Sequence, residues 1–78
     1  MARFWDSEVI LADLERGNRR IRVREVRRGD STMIDIRLFW RDKDNNWQPT
    51  RRGLAIPMEC LGPLVGALEK ACAAGSQR

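Results

Sequence analysis

Apolar and polar residues alternate along the first two thirds of the chain. Val9-Ile-Leu-Ala-Asp-Leu14 is a short apolar run that ends before Gly17-Asn18, so it predicts a first strand followed by a turn. From Arg19 to Val26, apolar Ile21 and Val23 alternate with arginines. A period of two is typical of a strand, and here it predicts a second strand with one arginine face.

Two further strands are predicted beyond a turn at residues 27–31. Residues 33–41 alternate again, with Ile34, Ile36, Leu38 and Trp40 on one side, which predicts a hairpin with the second strand. Residues 42–46 form a polar loop, and residues 47–56 predict a weaker fourth strand that contains Gly53. Pro49 favours an edge position or a late start for this strand.

The last part of the chain has the three- and four-residue apolar spacing of an amphipathic helix. The spacing predicts a helix from about Pro57 to Ala73, with a short first turn and a kink or restart near Pro63. Four antiparallel strands followed by one helix define an α+β fold within a single domain, residues 1–78. Residues 1–8 and 74–78 are expected to be frayed.

The size of the chain indicates that it associates with a second copy. One core in 78 residues supplies only ~3–5 kcal/mol of net stability, and the two cysteines lie too far apart on the helix to form a disulfide. We therefore expect a homodimer. The predicted dimer interface is the apolar stripe of the helix, namely Leu61, Leu64, Val65, Leu68 and Cys72.

Charge is distributed unevenly along the chain. Residues 1–15 carry four acidic residues and one basic residue, whereas residues 16–56 carry twelve basic and five acidic residues. The positive middle of the chain indicates a polyanionic partner. No apolar run approaches the ~20 residues of a membrane helix and the N-terminus lacks a signal-peptide pattern, so we expect a soluble intracellular protein.

Catalysis finds little support in the sequence. The chain has no histidine, no phosphate-binding glycine loop, no Cys-x-x-Cys pair and no Gly-x-Ser-x-Gly motif, so neither an enzyme nor a metal or other cofactor is expected. Asp35 lies two residues before Arg37, and we interpret it as the acidic member of a structural ion pair.

Arginines and aromatic residues indicate binding to nucleic acid. Arg22 and Arg24 on the second strand, Arg27 and Arg28 after it, and Arg51-Arg52 on the fourth strand are predicted to form one basic stripe. The alternative is a solvated strand face that discourages aggregation. Single-strand binders add aromatic faces on which bases stack, and Trp40, Trp47 and Phe39 are candidates. Strict alternation would instead bury Trp40 in the core.

Three segments together resemble the positive cofactor four family of transcriptional coactivators. They are Arg22-Val-Arg-Glu-Val26, Ile34-Asp-Ile-Arg-Leu-Phe-Trp40 and Pro49-Thr-Arg-Arg-Gly-Leu-Ala-Ile56, with Gly53 thirteen residues after Trp40. The resemblance covers roughly residues 17–72. It implies a curved four-stranded sheet, dimerisation through the helices, and channels for single-stranded or melted DNA.

The resemblance also implies which residues contact nucleic acid. Positions that match contacting residues of the family or their neighbours are Arg19, Arg24, Arg27, Arg37, Trp40, Pro49, Arg51 and Arg52. Val26 stands where the family often has an aromatic residue, so one stacking platform is expected to be missing. The family's long serine- and lysine-rich tail is absent, which favours a minimal prokaryotic or phage form. Such a form would be cytoplasmic and nucleoid-associated, whereas a eukaryotic one would be nuclear.

The predicted function is sequence-tolerant binding of single-stranded DNA in transcription or in the protection of melted DNA, with RNA left open. The alternative is an adaptor that docks on the transcription machinery through its helix.

Overall fold

The architecture is a four-stranded antiparallel sheet followed by one helix. The structure is a computed structural model, and it describes residues 4–75. The elements, in chain order, are β1 (Ser7–Arg16), β2 (Arg19–Arg28), β3 (Ser31–Arg41), β4 (Trp47–Pro57) and α1 (Met58–Gly75). Neighbouring strands in the sheet follow the chain order, β1-β2-β3-β4. The predicted α+β fold is therefore confirmed, and β4, which contains Pro49, lies at an edge.

Short turns connect the first three strands. The turn at Gly17-Asn18 is the predicted one, whereas the turn predicted for residues 27–31 is confined to Gly29-Asp30 because both flanking strands are longer than expected. Between β3 and β4, Asp42 Oδ1 accepts hydrogen bonds from the backbone N–H groups of Asp44 and Asn46, both at 2.9 Å. These bonds close the polar loop and hold β3 and β4 together at that end of the sheet.

Two expectations about the ends of the elements are wrong. β1 already begins at Ser7, and the N–H of Asp6 donates to the carbonyl of Arg27 at 2.7 Å, so residues 6–8 are held at the sheet and are not frayed. The helix extends to Gly75, and it continues through Pro63 without the predicted restart. The remaining predicted frayed positions, residues 1–3 and 76–78, lie outside the described residues.

The strand register defines two faces of the sheet, since directly opposed residues share a face. On the first face, Arg20, Arg22 and Arg24 of β2 lie opposite residues 39, 37 and 35 of β3, and we name it the arginine face. On the other face, Ile21 and Val23 lie opposite residues 38 and 36 of β3, and we name it the aliphatic face. The predicted alternation of β2 and β3 is thus confirmed.

Only a small core is formed within one chain. Among the described residues, the buried apolar side chains are Val26, Ile34, Phe39 and Ile56. No residue of α1 is buried, and the helix packs only against β3 and β4. Large apolar side chains are exposed on both β1 and α1, so much of the apolar surface of these two elements is not covered by other described residues. Within residues 4–75, no helix is long and apolar enough to cross a membrane.

Candidate nucleic-acid interface

The arginine face is a network of ion pairs between neighbouring strands. Arg22 Nε donates to Asp13 of β1 at 2.8 Å, and Arg20 reaches the same carboxylate at 2.9 Å and also pairs with Glu15. Arg24 pairs with Glu8, again from β1. The second strand therefore presents arginines whose charges are already neutralised by carboxylates of the first strand.

Asp35 lies at the centre of this network. Its side chain is fully buried, with Arg24 Nη2 at 2.6 Å from Oδ2 and Arg37 Nη2 at 3.0 Å from Oδ1. Arg37 also donates from Nη1 to the backbone carbonyl of Thr50 at 3.0 Å, which ties β3 to β4. The interpretation of Asp35 as part of a structural ion pair is confirmed, with two arginines in place of one.

Aromatic rings on this face are covered by guanidinium groups. The guanidinium carbons of Arg22 and Arg24 lie 4.8 and 5.3 Å from the ring centroid of Phe39. Arg20 lies 3.9 Å from the centroid of Trp47, close enough for a cation–π contact. Phe39 is only 4% exposed, so it belongs to the core and is not the base platform that its parity with Arg37 suggested.

A hollow of about 630 Å³ opens above this network. Arginines of β2 and β3 line it together with Trp47 and Pro49 of β4. Phe4 and Trp5, which precede β1 and pack edge to face with centroids 4.6 Å apart, line the hollow as well. These two rings were not among the residues predicted from the sequence, because the N-terminal residues were expected to be frayed. Two adjacent aromatic residues before an apolar run were the available signal.

The end of the sheet that carries the β1–β2 turn and the β3–β4 loop has a different character, and we name it the loop end. Arg16, Arg19, Trp40 and Gln48 lie opposite one another in a row across the four strands, on the aliphatic face. Trp40 is 46% exposed although it shares that face with buried Ile34. The alternative that strict alternation buries Trp40 is therefore wrong, because Trp40 lies near the end of β3, far along the strand from Ile34.

An irregularity in β4 brings two more arginines to the loop end. The β3–β4 register shifts between Arg37 and Phe39, so residues 50–52 bulge opposite residue 38, and the Thr50 hydroxyl donates to the carbonyl of Leu38 at 2.7 Å. Arg51 and Arg52 in the bulge are exposed. Among residues 4–75, neither Arg51 nor Arg52 has a carboxylate partner, and the same holds for Arg19.

Gly53 follows this bulge in a conformation that few other residues adopt. Its φ is 156°, and a Cβ atom built there would lie 2.4 Å from the carbonyl oxygen of Ile36. A side chain would force the two strands apart, so Gly53 is required where β4 approaches β3 after the bulge. Its predicted contact with nucleic acid stays a prediction.

The structure divides the predicted site residues into separate groups. Five of them line the hollow on the arginine face: Arg22, Arg24, Arg37, Trp47 and Pro49. Arg19 and Trp40 lie on the aliphatic face, with Arg51 and Arg52 nearby in the bulge. Arg27 lies opposite Thr32, six residues along β3 from Leu38 or about 20 Å away. The predicted single basic stripe, which joined Arg27 to Arg51, is therefore wrong.

A sheet that presents arginines and aromatic rings, followed by one helix, has the features of a small domain that binds nucleic acid through its strands. Residues 14–67 match the family model described as Transcriptional Coactivator p15 (PC4). The chain belongs to the PC4 family of DNA-binding, coactivator-like proteins, as its resemblance to positive cofactor four predicts.

Solved structures support the same family. The tetragonal crystal form of BPSL1147, a PC4 homolog from Burkholderia pseudomallei K96243, is 30% identical, with a TM-score of 0.77 over 85% of this chain and 98% of that chain. The orthorhombic form gives 30% identity and a TM-score of 0.78 over 87% and 93% of the two chains. The comparison with curated proteins gave no significant match.

Proposed function

We propose that this chain binds single-stranded DNA with little sequence preference, as a coactivator-type regulator of transcription or as a protector of melted DNA. The observation that carries the proposal is the loop end, where exposed Trp40 lies near Arg19, Arg51 and Arg52, none of which has a carboxylate partner in the described chain. Proteins that bind single strands combine such a cationic path for the phosphates with aromatic rings on which bases stack.

The two kinds of side chain have different roles in the proposed complex. Arg51 and Arg52 bind phosphate groups, which is a contact to the backbone and reads no sequence. Trp40 stacks on a base, and every base offers a π face, so the contact tolerates any sequence. Arg24 and Arg37 are predicted contacts as well, but their guanidinium groups are held by Asp35.

The proposal favours single strands over duplex DNA. Stacking on Trp40 needs an unpaired base. Reading a duplex through the major groove normally needs a helix or a β-ribbon with suitable side chains. The only helix among the described residues, α1, carries two acidic residues and one lysine, so its charge does not suit insertion between phosphate backbones.

A homodimer is part of the same proposal. On α1, Val65 is 46% and Leu68 53% exposed, while Leu61 and Leu64 are half-buried and Cys72 is exposed. A second copy that packs its own helix on this stripe would bury apolar surface that one chain leaves in water. Sedimentation at micromolar concentration should give the mass of two chains, and the mass of one chain would contradict the dimer.

Binding to a 20-mer oligonucleotide in single- and double-stranded forms tests the function. Fluorescence anisotropy should show tighter binding to the single strand, and equal or tighter binding to the duplex would contradict the proposal.

Each phosphate contact on a single strand contributes ~0.7 to the slope of log affinity against log salt. The double change Arg51→Ala and Arg52→Ala should therefore lower the slope by roughly 1.4. Lys70→Ala on α1 is the control and should leave it unchanged.

A further inference from the structure

The first strand supplies a row of carboxylates to the arginine face. Glu8 pairs with Arg24, Asp13 with Arg20 and Arg22, and Glu15 with Arg20. Together with buried Asp35, four carboxylates face the four arginines of this network, so its net charge is zero. In the part of the chain that the structure describes, Arg19, Arg51 and Arg52 at the loop end have no such carboxylate partners.

A bulge in β1 is what places all three carboxylates on one face. Side chains of a regular strand alternate between faces, so Glu8 would lie on the opposite face from Asp13 and Glu15. The register shifts at residue 11: Ile10 lies opposite Arg24, but Ala12 lies opposite Val23. The shift adds one residue to β1, and beyond it Asp13 lies opposite Arg22 on the arginine face.

These carboxylates compete directly with phosphate groups. A phosphate that approaches Arg22 would have to displace Asp13, whose Oδ1 lies 2.8 Å from Nε and whose Oδ2 lies 3.2 Å from Nη2. The hydrogen bond from Arg22 lowers the pKa of Asp13, so this carboxylate is charged at neutral pH and repels phosphate. Because β1 is hydrogen-bonded to β2, the competing groups are always present beside the arginines.

We propose that Glu8, Asp13 and Glu15 determine where the backbone of single-stranded DNA can bind, by excluding phosphates from Arg20, Arg22 and Arg24 and confining them to the loop end. This inference rests on the proposed function. Glu8 and Asp13 precede the residues matched by the family model, 14–67. The proposed exclusion of phosphates therefore depends on residues that the family match does not include.

The test replaces the three carboxylates by amides of the same shape, in the triple variant Glu8→Gln, Asp13→Asn and Glu15→Gln. A matched control removes three exposed carboxylates outside the network, Glu25→Gln, Asp30→Asn and Glu69→Gln, with the same change in net charge. Binding of a single-stranded 20-mer is measured by anisotropy at several salt concentrations. Arg20 and Arg22 would lose every carboxylate partner that they have among the described residues, so the salt slope should steepen by about 1.4 units, and affinity should rise at least tenfold above the control at low salt. Arg24 would stay paired with buried Asp35.

The possible outcomes distinguish a failure of this inference from a failure of the proposed function. If the wild-type chain does not bind the 20-mer, the proposed function is wrong. If the wild-type chain binds but the triple variant matches the control, or binds more weakly, this inference alone is overturned. Should the triple variant fail to fold, Glu15→Gln carries the test against Glu69→Gln, because the Glu15 side chain is 62% exposed and, among residues 4–75, pairs with Arg20 alone. Its slope should then steepen by up to ~0.7, since Arg20 keeps Asp13 as a partner, and an unchanged slope would overturn the inference.

Discussion

The arginines at the centre of the arginine face and those at the loop end have the same chemistry but different neighbours. Arg24 is 7% exposed and is held between Glu8 and Asp35, whereas Arg51 and Arg52 lie exposed in a bulge without a carboxylate partner among residues 4–75. The first group joins strands together, and the second is available to a ligand. The difference shows that the neighbouring strand, more than the arginine's own strand, decides whether a charge can serve binding.

The largest expected effect is the loss of stability when the buried carboxylate of Asp35, which pairs with the central arginines, is removed. Asp35→Asn leaves Arg37 without a carboxylate partner among the described residues and leaves buried Arg24 with Glu8 alone. Loss of one partner from a buried ion pair typically costs ~3–5 kcal/mol, so the free energy of unfolding should fall by about that amount. Urea denaturation followed by tryptophan fluorescence measures it.

The control for this change is Asp44→Asn, an exposed carboxylate in the β3–β4 loop that forms no ion pair in the described chain. Its effect should stay within about 0.5 kcal/mol. Equal stability of the Asp35 and Asp44 variants would mean that the central arginines do not depend on the buried carboxylate.

Local pattern was sufficient to predict the strands, the turn at Gly17 and the helix, because alternation and turn residues are encoded within a few positions. It was not sufficient to predict the partners of Arg20, Arg22 and Arg24. Those partners depend on the register between β1 and β2, and a single extra residue at position 11 changes the face of every later side chain in β1. The acidic balance of residues 1–15 was visible in the sequence, but its position beside the arginines was not.

The two aromatic candidates of β3 show the same limit on prediction. Phe39 and Trp40 are adjacent aromatic residues on opposite faces of the sheet, and the parity of Trp40 with Ile34 favoured burial for Trp40. The structure has the reverse, with Phe39 at 4% and Trp40 at 46% exposure. Phe39 is buried because the arginines above it are themselves held in place by carboxylates, and this cover cannot be seen in the sequence of β3 alone.

Trp40→Ala tests the proposed contacts at the loop end, and its expected effect on free energy is intermediate among these predictions. Loss of one stacked base should weaken binding of a single-stranded 20-mer by ~1–3 kcal/mol, while the salt slope stays nearly unchanged because no phosphate contact is lost. Anisotropy titrations at three salt concentrations measure both quantities. Phe4→Ala is a useful control, since Phe4 is also exposed but lies beside the hollow on the arginine face. Wild-type affinity in a folded Trp40 variant would remove Trp40 from the proposed site.

The smallest expected effect is the dependence of stability on pH that comes from Asp13. Hydrogen bonds and charges of Arg22 and Arg20 hold the pKa of Asp13 below its ordinary value of 3.8 in the folded chain. A carboxyl whose folded pKa is depressed stabilises the fold above the unfolded pKa, and this contribution is lost as the pH falls through the folded pKa. Thermal unfolding of the wild type should therefore shift to lower temperature as the pH falls from 5 toward 3, and Asp13→Asn should show a smaller shift over the same range.

The loop-end arginines have no carboxylate partner in the described chain, so Arg51→Ala should leave the wild-type shift unchanged. If Asp13→Asn keeps the full shift, the ion pairs of Asp13 with Arg20 and Arg22 do not contribute to this pH dependence, and the arginine face and the loop end would not differ in that respect.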